Sequence, residues 1–424
     1  MSTTWAAERI GHEKSLPAAA VGLTAAEFVA SGVRLSDLDT PLVVLDRTAL
    51  QHNIDLMAGW AAAAGVSLQP HGKTTMAPAL WHRQLTAGAI GLTLATVSQA
   101  RIAHWAGIGR IQIANELTSP QQVREVARLN TEGTEVVVWV DSVAAVDLVS
   151  AAVESSGAAP VPVLVELGVP GGRAGARTVA DGLAVAERAA AAPGVALRGT
   201  AGYEGAVAHS RQGTDLAAVD AYLADLVELH RRAGALLPGG GPGVLTAGGS
   251  AYFDHVVAQL AGPIADGAEV IVRAGASILH DHGVYEQLSP LSSTNQPLSA
   301  TNQHAGNVFV PAARGFGRVH SVPEPGLAIV EGGKRDFAYD EHLPVLLRRR
   351  TSHGWLEVPA GSGVVATNDQ HNFLRTDQPL AVGDLVEYGL SHPCTIMDKW
   401  RWLPLVDGFG DEDPVVVDLV RTWF

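Results

Sequence analysis

The sequence predicts an α/β protein: a (β/α)8 barrel followed by a C-terminal β-rich domain. Three observations carry this. Eight β-type runs alternate with amphipathic helical stretches between Ser67 and about Ala274. The runs are rich in Val, Ile and Leu without polar alternation, as parallel strands covered on both faces are. After about Ala276 the pattern changes to short β-type runs between Gly and Pro turns, which marks a second, β-rich unit. An open doubly wound sheet is the alternative that the first pattern also allows.

Residues 1–38 read as a helical or irregular extension. In segment 39–66 a run at 42–45 precedes the barrel count and has no barrel partner left, so it is expected to join the second domain. The barrel spans 67–276, with strands at 67–70, 90–96, 111–115, 135–140, 161–167, 195–202, 244–247 and 269–273. Helical patterns fill the gaps at 119–130, 142–155, 178–192 and 214–236, and another helix starts near Pro78. Ser119-Pro120 and Ser142 are helix starts of the serine-capped kind. The loop 238–243, Pro-Gly-Gly-Gly-Pro-Gly, reads as a flexible turn. The second domain, 277–424, shows runs at 308–311, 326–330, 355–359, 363–367 and 385–389.

Composition narrows the function. A chain of 424 residues with 47% hydrophobic and 17% charged residues fits a soluble protein of about two domains. The net charge of −14 argues against nucleic acid and anionic membranes as partners. Glu8, Glu13 and Glu27 interrupt the region where a secretory signal would lie, and no stretch is long and apolar enough to span a bilayer. The single cysteine, Cys394, excludes an internal disulfide framework. A cytoplasmic location is expected.

A barrel enzyme assembles its site at the C-terminal ends of its strands. Lys73 follows strand one, in Pro70-His71-Gly72-Lys73-Thr74. A partly desolvated lysine loses its proton more readily and can condense with a carbonyl cofactor. Gly72-Lys73-Thr74 also matches the tail of a P-loop, but that motif needs glycine where this chain has Ser67. Arg173 follows strand five in a glycine-rich loop, and Tyr203 follows strand six. Gly248-Gly249-Ser250 follows strand seven and opens a helical stretch, so its N–H groups and hydroxyl suit a phosphate. Each has an ordinary alternative: a solvated lysine, a surface arginine, a rim aromatic, a plain turn. Their shared face argues for one site, and together they describe a pyridoxal 5′-phosphate pocket.

A second cluster is Ser391-His392-Pro393-Cys394. In extended chain His392 and Cys394 point the same way, and imidazole with thiolate suits zinc. Two ligands suit an open site rather than a structural one. A buried structural pair is the alternative. His371, in Thr367-Asn368-Asp369-Gln370-His371-Asn372, is a candidate further polar group on the substrate and metal side.

Pro70-His71-Gly72-Lys73-Thr74, Thr246-Ala247-Gly248-Gly249-Ser250 and Ser391-His392-Pro393-Cys394 with Asp398-Lys399-Trp400 resemble the D-serine dehydratase and D-threonine aldolase family. These are alanine-racemase-like, fold-type III pyridoxal phosphate enzymes, and some similar proteins are labelled amino acid deaminases. The resemblance covers roughly residue 39 to the C-terminus. It implies a barrel of the alanine-racemase type, Lys73 as the catalytic Schiff-base lysine, and cofactor contacts from His71, Arg173, Tyr203, Gly248, Gly249 and Ser250. It further implies a divalent metal at His392 and Cys394, with zinc favoured and manganese or magnesium as alternatives. Aldolase-like members place aspartate at position 394, and dehydratase-like members place cysteine. The implied activity is therefore dehydration and deamination of a D-β-hydroxy amino acid, such as D-serine, to a 2-oxo acid and ammonia. A D-threonine-type aldolase is the alternative, and a racemase or a non-catalytic cofactor carrier stands further off. The aldolase-like segment Glu-Glu-His-Gly is replaced here by Asp369-Gln370-His371-Asn372. The implied partner is a small D-amino acid, with a homodimer as the expected assembly.

Overall fold

A computed structural model describes residues 7–295, 307–351 and 354–424, so the first six residues of the N-terminal extension lie outside the described ones. Eight strands form one parallel sheet: Ser67–Leu68, Leu92–Leu94, Arg110–Glu116, Glu135–Val140, Val161–Leu167, Val195–Gly202, Val244–Ala247 and Glu269–Val272. Each pairs with its sequence neighbour from the second to the eighth, and the eighth pairs with the first. A parallel bridge between His71 and Thr93 joins the first to the second. The sheet therefore closes into a barrel, which excludes the open doubly wound alternative.

Local chemistry explains the helices. Ser119, Ser142 and Thr178 each accept an N–H from the third residue of the helix they open: Pro120–Thr131, Val143–Ser156 and Val179–Ala191. Such a cap contributes about 1 kcal/mol. The strand Glu135–Val140 is buried at every position after the first, as both-face coverage requires. The barrel core gathers Val138, Val163, Leu245 and Val270 with the inner faces of the surrounding helices.

The second sheet has ten strands. Leu42–Asp46 belongs to it, antiparallel to Ala313–Glu324 and parallel to Trp402–Val406. The run at 308–311 is not a strand. Phe309 N–H donates to Leu291 O, and Val310 N–H is taken by the Asn53 side chain, so no neighbouring strand engages it. Asn53 also donates to Ile278 O and Val310 O at 3.1 and 2.7 Å. This buried amide fastens the helix Arg47–Ala63 to the chain leaving the barrel.

The N-terminal extension packs on the far face of the second sheet. Its helix Ala25–Ala30 opens with a capping box of Thr24 and Glu27. Phe28, Leu35 and Leu38 share a core with Phe316 and Trp402. Glu8 holds Arg421 through two hydrogen bonds of 2.9 Å. Among the described residues no helix is long and apolar enough to cross a membrane.

Candidate active site

A cavity of about 290 Å³ opens where the barrel strands end and the second sheet begins. Its wall brings together His71, Lys73, Arg173 and Tyr203 from the barrel, Gly249 and Ser250 after strand seven, and His392 and Cys394 from the second domain. A larger cavity of about 410 Å³ lies between the N-terminal extension and the second sheet, but its lining holds no lysine, cysteine or histidine.

Lys73 sits in a single 3-10 turn, Gly72–Thr74, immediately after strand one. Trp81 Nε1 donates to Gly72 O at 3.0 Å and fixes that turn. A Cβ at Gly72 would meet Trp81 Nε1 at 3.0 Å and the Leu92 and Leu94 methyls at 3.2 Å, so glycine permits the close packing. The Lys73 side chain lines the cavity and donates to no group among the described residues. Beside it, desolvation and then the charges of Lys73, Arg273 and Arg173 hold the His71 imidazole well below its ordinary pKa. His71 is a neutral ring at the floor of the site.

Arg173 stands over the Tyr203 ring at 5.5 Å. Its loop is held by Arg177, whose guanidinium donates to Val169 O at 2.9 Å and Arg173 O at 2.6 Å. Burial, followed by the charge of Glu204, pushes the Tyr203 hydroxyl up to about 12, so it is a donor at neutral pH. Tyr203 is packed closely: a Cβ on Gly205 would meet its ring at 2.5 Å, and one on Gly249 at 2.9 Å.

The glycines after strand seven correct one expectation. The Gly248 and Gly249 N–H groups donate to the buried Glu204 carboxylate at 2.9 and 2.7 Å. They are therefore not free for a phosphate, and Gly248 is not part of the cavity wall. Other donors remain. Ser250 Oγ accepts from Ala276 N at 3.0 Å, which leaves its O–H to donate. The Ser250 and Gly275 N–H groups donate to nothing among the described residues. A Cβ at Gly275 would fall 2.5 Å from His71 Cβ, so glycine is required there for backbone approach. Ser250 and Gly275 thus leave donors open after strands seven and eight, where barrel enzymes often hold a phosphate.

Arg273 is a residue that sequence reasoning missed. It follows strand eight, is 1% exposed, and donates to Thr246 Oγ1 and Gly202 O, both at 2.6 Å. Its Nε has no partner among the described residues, and its guanidinium lies 4.9 Å from the Trp139 ring. A buried unpaired donor lining a cavity is expected to meet a ligand acceptor. The one sequence signal was a cation closing the apolar run Val270-Ile271-Val272. Glu166 was also missed. Burial first, then its hydrogen bond to Glu116, raises its carboxyl to about 9, so it stays protonated below the site.

His392 adopts a left-handed backbone, φ 54°, and its N–H donates to Asp281 Oδ2 at 2.8 Å. Its Nδ1 bonds to Asp340, whose other oxygen accepts from the Thr395 hydroxyl at 2.7 Å. That carboxylate fixes the ring and leaves Nε2 for another partner. Burial pushes the Cys394 thiol up. The hydrogen bond and charge of His392, with Thr74 and Lys73, outweigh it and bring the thiol below its ordinary range. The same hydrogen bond to Cys394 raises His392 to about 9 against the opposing effect of burial. Once the proton they share is released, the pair offers an imidazole nitrogen and a sulfur, a donor set that a soft or borderline divalent ion fits. Among the described residues no group of three or more His, Cys, Asp or Glu surrounds it, so an ion here would keep open positions. The Asp281 and Asp340 supports were not legible, since each comes from a distant segment.

His371 does not reach this site. It stands on the strand His371–Arg375, paired with Glu331, and its ring packs 5.8 Å from that of His320. The strand alternation buries Asn372 and turns His371 to the other face.

Residues 312–406 match the family described as "Putative serine dehydratase domain". A D-threonine aldolase of Arthrobacter sp. is 30% identical over 363 residues, covering 84% of this chain and 84% of that protein. A D-threo-3-hydroxyaspartate dehydratase of Delftia sp. (strain HT23) is 34% identical over 141 residues, 33% of this chain and 37% of that one. Among solved structures, a D-threonine aldolase from Filomicrobium marinum superposes with a TM-score of 0.75 at 23% identity, covering 92% of this chain and 96% of that one. An alanine racemase from Bacillus anthracis shares the fold with a TM-score of 0.58 at 14% identity, over 90% and 97% of the two chains.

Proposed function

The chain belongs to the D-threonine aldolase and D-serine dehydratase family of alanine-racemase-like lyases, and from that premise we propose that it dehydrates and deaminates D-β-hydroxy amino acids. The substrate is a D-serine-like amino acid, and the products are a 2-oxo acid and ammonia. The observation that carries this reading is Cys394, which lines the cavity together with His392 and Lys73 and whose sulfur meets the Thr74 hydroxyl.

The wall fits pyridoxal 5′-phosphate. Ser250 and Gly275 offer free donors for its phosphate, and Arg273 offers an unpaired Nε for a ring acceptor. Arg173, over the Tyr203 ring, could hold a phenolate or carboxylate oxygen. When bound, the cofactor supplies the carbonyl that captures the substrate amine and the ring that spreads charge from Cα. Lys73 is the base for the α-proton, because it is the cavity amine with no partner of its own. Neutral His71 adds no competing charge at that position. Trp139 and Tyr203 line the barrel side of the cavity with aromatic rings. Arg273 can donate and cannot accept a proton, so it holds a ring acceptor without acting as an acid–base group.

A divalent ion on His392 and Cys394 would supply a Lewis acid at the β-oxygen. Elimination and aldol cleavage differ in what that oxygen needs. Elimination needs it to leave, whereas cleavage needs its proton removed. A carboxylate at position 394 would offer an oxygen base for that proton. The Cys394 sulfur is already engaged by His392 and by the Thr74 hydroxyl, which suits a ligand rather than a base. The aldolase reading remains the second one, favoured by the 84% coverage of the Arthrobacter enzyme.

Product analysis with D-serine and D-threonine separates the two. Pyruvate or 2-oxobutanoate with ammonia supports dehydration. Glycine with an aldehyde supports cleavage. Borohydride reduction followed by peptide mapping is expected to place the pyridoxyl group on Lys73, and label on another lysine would end the cofactor assignment.

A further inference from the structure

One buried carboxylate joins two sides of the cavity. Asp281 is 1% exposed, and it lies in the segment that leaves the barrel for the second sheet. Its Oδ1 accepts the N–H groups of Gly283, Tyr285 and Glu286 at 3.1, 2.8 and 3.2 Å. Those contacts alone would be an ordinary cap for the short helix Val284–Leu288. Its Oδ2 does something else: it accepts the N–H of His392 at 2.8 Å, from 111 residues away. His392 is in the left-handed region at φ 54°, where a residue with a Cβ needs outside support.

The two segments are knitted elsewhere as well. His282 N–H donates to Leu390 O at 3.0 Å, and Val284 N–H to Ser391 Oγ at 3.3 Å. A Cβ at Gly283 would fall 2.4 Å from Ser391 Oγ, so the contact leaves no slack. The side chains that emerge from this frame, Tyr285 on one segment and His392 with Cys394 on the other, line the same cavity.

We propose that Asp281 is a positioning residue that sets His392 and Tyr285 on one rigid frame, so that the metal pair and the Tyr285 phenol present themselves together to the substrate. This rests on reading His392 and Cys394 as metal ligands. The carboxylate form is required: all of its partners are N–H donors, and an amide would set an NH2 against one of them. With the His392 N–H released, the left-handed backbone loses its outer support while Nδ1 stays on Asp340. The ring then tilts instead of leaving the site, and the Tyr285 turn loosens with it.

The test compares wild type and Asp281→Asn, purified with cofactor. Lys73 stands on the barrel, so the cofactor absorbance is expected to persist. Zinc affinity, read by competition with a chromophoric chelator, should fall about tenfold or more. Saturating zinc should restore part of the lost kcat. A folded variant with wild-type zinc affinity overturns the proposal. If the variant does not fold, hydrogen exchange on metal-depleted wild type decides. Added zinc should slow exchange in both 389–395 and 281–288, and slowing confined to 389–395 overturns the proposal. Wild type that takes up no zinc, manganese or magnesium at all refutes the metal reading itself, which keeps the two failures distinct.

Discussion

Thr74 Oγ1 lies 3.6 Å from Cys394 Sγ, so the residue after the cavity lysine touches the chain's single cysteine. The contact spans 320 residues of sequence and joins the barrel to the second domain. Thr74 is 1% exposed, and its hydroxyl has the sulfur as its hydrogen-bond partner. A hydroxyl aimed at a thiolate steadies the anion and orients it. Thr74→Val keeps the branched shape and removes the donor. The expected result is divalent-metal affinity weakened about tenfold, as for other supports of metal ligands, with thermal stability changed little. Chelator competition and a melting curve on one preparation measure both. Unchanged metal affinity would show that the contact is packing only.

Gly249 is constrained from two directions. A Cβ there would meet Tyr203 Cε2 at 2.9 Å and Glu204 Oε1 at 3.6 Å. Gly249→Ala should push the Tyr203 ring and destabilise the fold by about 1–3 kcal/mol, the usual scale of overpacking. Gly249→Asp adds a second carboxylate beside Glu204 and next to the open donors at Ser250. Its loss of pyridoxal phosphate affinity should exceed that of the alanine variant clearly. Equal cofactor affinity in the two variants would place the phosphate elsewhere.

The barrel was legible where its chemistry is local. Strands at 135–140, 161–167, 195–202 and 244–247 are mostly apolar runs without polar alternation, and the structure has strands at those positions. Serine caps marked two helix starts correctly. The second sheet was harder because partners define it. Val345–Thr351 was not among the β-type runs, because it contains Arg348, Arg349 and Arg350, yet it is a strand and Arg348 pairs with the buried Glu387. The site divides the same way. Lys73, Arg173, Tyr203, Ser250, His392 and Cys394 were visible from strand ends and spacing, and they share one wall. Glu204 occupying the Gly248 and Gly249 N–H groups was not visible, because only the fold brings strand six against strand seven. His371 looked like a site residue, but period-two alternation sends it toward His320.

Glu166 makes stability depend on pH. Burial, with its hydrogen bond to Glu116, raises its carboxyl to about 9 in the folded protein. In the unfolded chain a glutamate ionises near its ordinary value of about 4.3. Between those values the folded state binds one proton more than the unfolded state, so this group lowers stability as pH rises. Glu166→Gln removes that proton exchange, and its amide can still donate to Glu116. Relative to wild type, the variant should melt progressively higher as pH goes from 5 to 8. Melting curves across that range give the difference, and parallel profiles would contradict a protonated Glu166.

Cys394 decides between the two reactions. Cys394→Ala deletes the sulfur ligand but leaves Lys73 and the Ser250 and Gly275 donors intact, so cofactor absorbance should survive. Keto-acid formation should fall by about a hundredfold or more, since loss of a Lewis acid at a leaving oxygen removes several kcal/mol of transition-state stabilisation. Chelation of wild type should give the same phenotype, and restored metal should reverse it. Cys394→Asp is the more discriminating change. It returns an anionic ligand that binds hard ions well and can also take a proton from the β-hydroxyl. Manganese or magnesium should then support turnover better relative to zinc. With D-threonine, the product ratio should move from 2-oxobutanoate toward glycine and acetaldehyde. Quantifying all three products in one reaction measures the partition directly. A Cys394→Ala variant that keeps wild-type keto-acid formation after chelation would leave Cys394 a packing residue and remove the metal from the reaction.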